Sequence, residues 1–295
     1  MSKIRTIIDE IARIDVSVLI KGESGTGKEL VAQSIHMNSH RREKPFIKVN
    51  CAAIPQNLLE SELFGFEKGA FTGAYLKKPG KFELGNGGTI LLNEIGEIDI
   101  SIQAKLLQVL QDGEFSRLGG NGDISVDTRV ITTTKDHLEK SMMEGRFRED
   151  LFFRINVMSI TLPPLRERKE QILPLSLYYF NVYKKKFSKS STWLSAETID
   201  VFKKYSWPGN IRELENMIKR IILFGERVAT QSLIQTQNNG EKDPFSNDGF
   251  TQNGTNGMEL LNLKKVRREA AESAEKELMQ KILNETHWNR KEAAR

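Results

Sequence analysis

Short aliphatic and β-branched runs alternate with amphipathic stretches through the first half of the chain. The runs at 16–20, 46–50, 89–92 and 128–134 predict buried β-strands. Between them, stretches such as KELVAQSIHMNS and SIQAKLLQVLQDG space their apolar residues for one face of a helix. This alternation predicts an α/β domain over residues 1–167, with a parallel sheet between helices.

The pattern changes after the segment LPPLRER at 162–168. Residues 168–235 predict a small helical domain, with breaks at FSKSST and WPGN. Residues 236–257 are polar and rich in Asn and Gly, which predicts a flexible linker. Residues 258–295 begin with apolar positions at helical spacing, so we expect a further helix there.

Composition narrows the class of protein. The 295 residues include one cysteine, Cys51, so an intrachain disulfide is excluded. No apolar run approaches the roughly 18 residues that span a bilayer, which predicts a cytoplasmic soluble protein without a membrane partner. The net charge of +5 permits contact with nucleic acid but does not by itself argue for it.

A glycine-rich segment lies between the first predicted strand and the following helix. In it, Gly22 and Gly27 are separated by four residues, and Lys28 follows. Glycines let backbone N–H groups turn toward phosphates, the helix N-terminus adds partial positive charge, and the lysine reaches the β- and γ-phosphates. The alternative is a glycine-rich strand-to-helix turn without a ligand. The candidate nucleotide-binding residues are Gly22, Glu23, Ser24, Gly25, Thr26, Gly27, Lys28 and Glu29.

The strand at 89–92 ends in a second candidate pair, Asn93 and Glu94. In ATPases of this architecture, acidic residues at that strand end hold magnesium and polarise the attacking water. Glu94 can perform the second task. As a metal ligand Asn93 is weak, because a neutral amide offers no charge to a hard cation. Taken alone, the segment is equally well a strand that ends in a solvated polar pair.

Five segments together resemble one family: GESGTGKE, ESELFGFEKGAFTGA, GGTILLNEIGEI, GRFREDLFFRI and WPGNIRELEN. They resemble the AAA+ central domain of sigma-54-dependent transcription activators, the NtrC-like bacterial enhancer-binding proteins. The resemblance implies an AAA+ P-loop NTPase core with a helical lid, and ATP and Mg²⁺ as cofactors. It also implies a self-assembled ring, expected to be a hexamer, that acts on sigma-54 RNA polymerase holoenzyme. A glutamate after the phosphate-loop lysine is usual in this family, so Glu29 fits the pattern.

The same resemblance assigns a partner-binding loop. The family's GAFTGA loop contacts sigma-54 and promoter DNA, and here that loop comprises Gly69, Ala70, Phe71, Thr72, Gly73 and Ala74. Glycines at both ends supply hinges, and one exposed aromatic gives a large contact area at modest entropic cost. The alternative is that Phe71 folds back onto the domain as an anchor of the loop.

Further roles follow from the resemblance residue by residue. Asn50 matches the asparagine that couples the catalytic glutamate, Glu94, to the loop. Arg148 and Arg154 match arginines that reach a neighbouring subunit's nucleotide; on one helix they would point about 240° apart and do different jobs. Arg212 matches the lid residue that senses the phosphates, in a helix that Asn210 is expected to cap with Glu213 as its partner. The alternatives are solvated or lid-contacting arginines and plain helix initiation.

Three positions depart from the family pattern. Asn93 replaces the magnesium-holding aspartate, Lys135 replaces the asparagine of the sensor strand, and Phe66 stands where histidine is common. Because the metal neutralises charge that grows toward the transition state, losing its carboxylate would slow hydrolysis while sparing ATP binding. An alternative function is therefore an ATP-binding regulatory subunit with impaired hydrolysis. Lys135 adds a cation near the same place. It would either substitute electrostatically for part of the effect of the metal or displace the attacking water.

The last segment, MQKILNETHWNRKEAAR, resembles the opening of a Fis-like helix-turn-helix. The chain ends inside the second helix of that motif, so binding of enhancer DNA is expected only if the motif were complete. The same residues would also form an amphipathic dimerisation helix. A DNA-binding module without ATPase activity is a third, poorly supported hypothesis.

Overall fold

The computed structural model describes residues 2–135, 137–188 and 194–226, together with residues 230 and 233. Every described residue falls in one compact unit, Met1–Glu241. The predicted linker at 236–257 and the predicted helix-turn-helix region at 258–295 lie outside the described residues. Within the described part, no helix is long and apolar enough to cross a membrane.

A five-stranded parallel sheet lies at the centre of the unit. The strands, in chain order, are β1 (Val18–Lys21), β2 (Phe46–Asn50), β3 (Gly65–Phe66), β4 (Lys78–Pro79), β5 (Thr89–Asn93), β6 (Glu114–Ser116), β7 (Asp123–Ser125), β8 (Arg129–Thr134) and β9 (Met158–Thr161). The sheet has the order β2-β5-β8-β1-β9, and β3-β4 and β6-β7 form antiparallel pairs. The predicted parallel sheet is confirmed, and the carboxyl ends of its strands form the edge where such sheets bind ligands.

Helices accompany the strands along the chain and continue after them. They are α1 (Ser2–Ala12), α2 (Lys28–Met37), α3 (Gln56–Phe64), α4 (Lys81–Leu84), α5 (Ile100–Asp112), α6 (Leu138–Met143), α7 (Glu149–Ile155), α8 (Ile172–Lys186), α9 (Ala196–Lys204) and α10 (Asn210–Phe224). Short 3-10 helices include Leu165–Glu167, which follows the last strand. The described residues thus form the predicted α/β unit with a five-stranded parallel sheet, followed by the helices of the predicted lid region, α8 to α10.

Both faces of the sheet are buried, which explains the long apolar runs of the sequence. Val18 and Ile20 of β1 pack with Ile35 of α2, whereas Leu19 belongs to a second cluster with residues of α3, α5 and α7. Because successive side chains of a strand point to opposite faces, one apolar run supplies both clusters. The sequence pattern does not predict β9, since this edge strand buries only Ile160.

The lid helices α8, α9 and α10 share a separate hydrophobic cluster. Its fully buried aromatic side chains are Phe180, Phe202 and Trp207, and Tyr205 is buried beside them. The Trp207 ring meets the Phe202 ring edge to face, and its Nε1–H donates to the Phe202 carbonyl at 2.8 Å. This satisfied polar atom lets a tryptophan be fully buried, so the lid region has a core of its own.

Two local predictions about helix termini are wrong. Asn210 does not cap α10: Gly209 is the capping residue, and the Asn210 side chain makes its hydrogen bonds elsewhere. Glu213 does reach back, accepting the Gly209 N–H at 2.8 Å. Arg148 lies just before α7, whereas Arg154 lies within it. The predicted angle between two side chains of one helix therefore does not apply to this pair. In both cases tertiary contacts, which a local pattern does not contain, move the helix boundary.

Candidate functional site

The glycine-rich loop takes a backbone conformation that only glycine adopts without strain. Gly22, Gly25 and Gly27 have φ values of 151°, 77° and 97°. A Cβ atom on Gly25 would lie 2.3 Å from the Gly209 carbonyl oxygen, and one on Gly22 would lie 2.8 Å from the Leu162 carbonyl oxygen. The loop therefore has no room for side chains on these faces, as a backbone cradle for phosphate groups requires.

The Lys28 side chain lies inside this cradle. Only 7% of the residue is exposed, and its Nζ donates to the carbonyls of Gly22 at 2.6 Å and Glu23 at 3.3 Å. The same Nζ lies 3.4 Å from Glu94 Oε1. A triphosphate would offer this buried cation stronger, charged acceptors than the two carbonyls, so the residues present fit the nucleotide that the sequence predicts.

A cavity of about 420 Å³ opens in front of the loop. It brings together nine of the predicted site residues: Ser24, Gly25, Gly27, Lys28, Glu29, Asn50, Asn93, Glu94 and Arg212. Sequence reasoning missed five further lining residues, because their sequence patterns are those of ordinary helix and strand positions: Leu30, Thr133, Tyr179, Ile211 and Glu215. Thr26 is buried within the loop, where its hydroxyl donates to the Glu23 carbonyl at 2.8 Å.

Glu94 is held in a left-handed conformation, with φ 55° and ψ 57°. Its N–H donates to Thr133 Oγ1 at 3.2 Å, and its Oε2 accepts the Lys135 N–H at 3.1 Å. A non-glycine residue in this region costs free energy unless its surroundings fix it, and such residues cluster at functional sites. The two hydrogen bonds thus aim the carboxylate at the cavity.

The departures at 93 and 135 have distinct structural consequences. The Asn93 Oδ1 accepts a hydrogen bond from the Thr133 hydroxyl at 3.1 Å. Lys135 contributes its main-chain N–H to Glu94, while its ammonium group pairs with Glu97 at 3.0 Å. The Lys135 cation therefore points toward an acidic partner outside the residues that line the cavity.

The donor set for a metal ion is small. Magnesium commonly uses one or two carboxylates together with substrate phosphates and water. Glu94 supplies one carboxylate and Asn93 a neutral oxygen, whereas Glu29 pairs with Lys48 at 2.6 Å. These residues fit a metal held mainly by the nucleotide's own phosphates. Beside them, burial raises the pKa of the Cys51 thiol to about 12, so this cysteine stays protonated.

The lid touches the outer side of the phosphate loop. Arg166 binds the Glu23 carboxylate with two hydrogen bonds of 2.6 and 2.8 Å, and Arg212 Nη1 donates to Ser24 Oγ at 3.0 Å. These bonds from Arg166, with a smaller opposing effect of burial and a further bond from Asn210, hold the pKa of the Glu23 carboxyl below its usual value. Sequence reasoning missed Arg166, although the charged segment LPPLRER was the available signal.

The two candidate trans-acting arginines make contacts within their own subunit and stand outside the nucleotide cavity. Arg148 pairs with Asp150 at 2.7 Å on the surface. Arg154 donates through Nε and Nη2 to the Leu110 carbonyl at 2.9 and 2.6 Å, near the end of α5. The structure therefore does not unite either arginine with Lys28 and Glu94 of the same chain.

The GAFTGA segment forms a turn between β3 and β4. The Gly69 N–H donates to the Ala74 carbonyl at 2.9 Å, and Gly69 and Gly73 have φ values of 87° and 107°. Phe71 is 43% exposed, and its ring meets the Phe66 ring edge to face at 4.9 Å. The anchored alternative is thus partly realised: Phe71 rests on Phe66, the departure from histidine, while part of its surface stays open.

The hairpin of β6 and β7 contacts the residues next to this turn. Arg117, at the end of β6, binds the carboxylates of Glu67 and Glu83, at 2.6 Å to Glu67 and 2.8 Å through its Nε to Glu83. The Glu67 N–H donates to the Leu118 carbonyl at 3.0 Å. Charged hydrogen bonds of this kind are the stronger class, so we treat segment 114–125 as the support of the loop.

We expect Gly119→Ala to detach the loop from this support. Gly119 has φ 69°, and an added Cβ would lie 2.7 Å from Ala70 Cβ. Both backbone strain and overlap oppose the docked position. Hydrogen exchange at the Glu67 amide should accelerate about tenfold. The matched control is Gly122→Ala, whose Cβ would meet nothing within 4 Å; equal exchange in both variants would contradict the prediction.

Comparison with known proteins assigns residues 1–161 to the sigma-54 interaction domain and residues 166–246 to the AAA+ ATPase lid domain. The Nif-specific regulatory protein of Klebsiella pneumoniae is 53% identical over 227 residues, covering 77% of this chain and 43% of that protein. Regulatory protein AtoC of Escherichia coli is 44% identical over 292 residues, covering 97% and 60%. The DNA-binding transcriptional regulator NtrC of Salmonella typhimurium is 47% identical over 235 residues, covering 79% and 50%.

The chain thus spans about half the length of these curated relatives. Among solved structures, NtrX from Brucella abortus superposes with a TM-score of 0.72 at 33% identity, covering 100% of this chain and 63% of NtrX. A structure of NtrX in complex with ATP gives 0.70 at 32% identity, covering 98% and 62%. The similarity extends over both the sheet and the lid region.

Proposed function

Since the chain belongs to the sigma-54 interaction domain family of transcription activators, we propose that it hydrolyses ATP to remodel sigma-54 RNA polymerase holoenzyme at promoters. The observation that carries this proposal is the cavity in which Lys28 and Glu94 lie 3.4 Å apart beside the phosphate loop. A buried cation for the phosphates next to a fixed carboxylate is the arrangement that phosphoryl transfer to water needs.

In the proposed reaction, ATP lies with its triphosphate over the loop. The Lys28 ammonium exchanges the carbonyls of Gly22 and Glu23 for β- and γ-phosphate oxygens, which frees Glu94 from its ion pair. Glu94 then orients a water molecule and accepts its proton as the water oxygen attacks the γ-phosphorus and the bond to the β-phosphate breaks. Mg²⁺, when bound, neutralises phosphate charge, and Asn93 and Glu94 are the residues that would hold it.

The proposed active site is completed by a second subunit of a ring. Arg148 and Arg154 both lie outside the lining of the cavity of their own chain, which supports their use in trans. An arginine from a neighbour would stabilise the charge that develops on the γ-phosphoryl group. Activity should therefore rise steeply with protein concentration.

The connection between the site and the loop is short. Asn50 ends β2 and lines the cavity, and α3 runs from Gln56 to Phe64, directly before the strand that enters the GAFTGA segment. Gln56 also donates to the Glu97 carbonyl, one turn beyond Glu94. A helix that begins at a contact one turn beyond Glu94 and ends just before the strand leading to the loop supports coupling between nucleotide state and loop position.

We expect Thr72→Ala to separate ATP turnover from partner engagement. Thr72 is exposed and lies outside the cavity lining, so turnover should stay within about twofold, while binding to sigma-54 should fall at least about tenfold. Turnover and co-sedimentation with sigma-54, in the presence of ADP and aluminium fluoride, measure the two. Ser101→Ala, an exposed hydroxyl on α5, is the control and should change neither; parallel loss of both activities by Thr72→Ala would make the loop a structural element.

A second candidate function is an ATP-binding subunit with impaired hydrolysis. The observation that favours it is the neutral Asn93, whose Oδ1 already accepts the Thr133 hydroxyl. Such a subunit would bind ATP and its partners but turn over slowly. Equilibrium ATP binding with and without magnesium, measured beside hydrolysis, separates the two candidates.

A further inference from the structure

We propose that Asn210 is a positioning residue that orients the phosphate loop from the lid side. Its Nδ2 donates to the Ser24 carbonyl at 3.0 Å and to Glu23 Oε2 at 3.2 Å. Its Oδ1 accepts the Leu165 N–H at 2.7 Å. One fully buried side chain thus joins the phosphate loop, the segment that leads into the lid, and the first turn of α10.

The bond to Ser24 fixes the orientation of a peptide plane. In a trans peptide the carbonyl and the following N–H point in opposite directions. With the Ser24 carbonyl turned toward Asn210, the Gly25 N–H is turned away from the lid. The Gly25 N–H can then donate to a phosphate oxygen. It does so without reorganisation, because the Ser24 carbonyl of the same peptide plane is already held.

The next two carbonyls of the loop are held from the same side. The Ile211 N–H donates to the Gly25 carbonyl at 2.9 Å, and Arg168 Nη2 donates to the Thr26 carbonyl at 2.7 Å. Arg168 is itself buried, with 4% of its surface exposed. Three consecutive peptide planes are therefore set by donors from the lid and from the segment before it, and Asn210 is the side chain of α10 that takes part.

The backbone at Asn210 takes a conformation that its contacts must help to hold. Its φ is +53°, a conformation that asparagine tolerates better than most residues but that ordinary helix residues avoid. Gly25 and Gly209 approach each other so closely that a Cβ on Gly25 would lie 2.3 Å from the Gly209 carbonyl oxygen, so the phosphate loop and the start of α10 are in direct backbone contact.

This inference rests on the proposed function, because it names the residue that makes ATP affinity depend on the position of the lid. By linkage, ATP bound at the loop must in turn stabilise the lid contact. A residue that only braces the lid would lower stability without giving this reciprocal effect. The two roles therefore differ in a measurable way.

The test uses two substitutions at the same position. Asn210→Asp keeps an acceptor for the Leu165 N–H but replaces the donating amide with an oxygen that faces the Ser24 carbonyl and the Glu23 carboxylate. Asn210→Gly removes the side chain and relaxes the positive φ. Both should lower the equilibrium affinity for ATP at least about tenfold. The control is Thr198→Val, a buried lid residue whose hydrogen bonds stay within the lid.

Two results would overturn the inference. One is an ATP affinity that is unchanged in both Asn210 variants. The other is a loss of ATP affinity equal to that of Thr198→Val, when all three variants have the same melting temperature without nucleotide. If the variants fail to fold, a measurement on the unaltered chain still tests the inference. Hydrogen exchange at the Ile211 amide should slow several-fold on addition of ATP, and unchanged exchange would also overturn the inference. A chain that binds ATP without hydrolysing it contradicts the proposed function but leaves this inference to be decided by the binding data; a chain that binds no ATP contradicts both.

Discussion

Replacing Lys28 with alanine should abolish ATP binding, with a loss of affinity of at least about a hundredfold. The Lys28 ammonium is buried in the cradle, where it contacts the carbonyls of Gly22 and Glu23 and the Glu94 carboxylate. Without it, the phosphate charge would lose the buried cation that compensates its desolvation inside the loop. Isothermal titration with ATP measures the affinity, and the same samples give turnover.

The matched control for this prediction is Lys21→Ala. Lys21 ends the strand that precedes the loop, but its ammonium pairs with Glu139 at 2.6 Å. Its removal should change ATP affinity by no more than about twofold. An affinity of Lys28→Ala indistinguishable from that of Lys21→Ala would remove the phosphate-site assignment.

The Lys28 variant also tests whether the active site is shared. A Lys28→Ala subunit keeps Arg154, and an Arg154→Ala subunit keeps the phosphate loop. In a ring with shared sites, mixing the two inactive variants should restore turnover, since some interfaces then join an intact loop to an intact arginine. Absence of restored turnover at every mixing ratio would argue against an arginine supplied in trans.

Restoring a carboxylate at the metal position should accelerate hydrolysis. We expect Asn93→Asp to raise ATP turnover at least about tenfold while changing ATP affinity little, because a second negative oxygen binds a hard cation better than an amide. The Thr133 hydroxyl, 3.1 Å from Asn93 Oδ1, can donate to an aspartate equally well. Turnover at saturating ATP and magnesium, over a range of protein concentrations, measures the effect.

Asn50→Asp is the control for charge alone. Asn50 lines the same cavity at the end of the neighbouring strand, so this change adds a carboxylate near the phosphates at a position that we assign to coupling. It should not raise turnover. If the unaltered chain and Asn93→Asp hydrolyse ATP at the same rate, the present donor set is sufficient and the impaired candidate function is excluded; if only Asn93→Asp turns over, that candidate function is supported.

The sequence by itself determined most of the core architecture. Apolar runs predicted β1, β2, β5 and β8 near their observed positions. The inner strands β1, β5 and β8 are buried almost throughout, whereas the edge strand β2 buries only Val49 and half-buries Phe46 and Ile47. The sequence predicted the phosphate loop equally well, because its functional residues are contiguous, from Gly22 to Lys28, with a strand before them and a helix after them. These features are local, and local patterns encode them.

Only the tertiary structure decided the features that depend on contacts between distant residues. The edge strand β9 buries a single residue, so its sequence carries little hydrophobic signal. Asn210 has the local pattern of a helix cap, but its partners at Glu23 and Ser24 precede it by 187 and 186 residues. Likewise Lys135 reads as an added cation near the phosphates, whereas the fold directs its ammonium toward Glu97 and only its N–H toward Glu94. A sequence pattern specifies which groups a segment offers; the fold decides which of those groups meet.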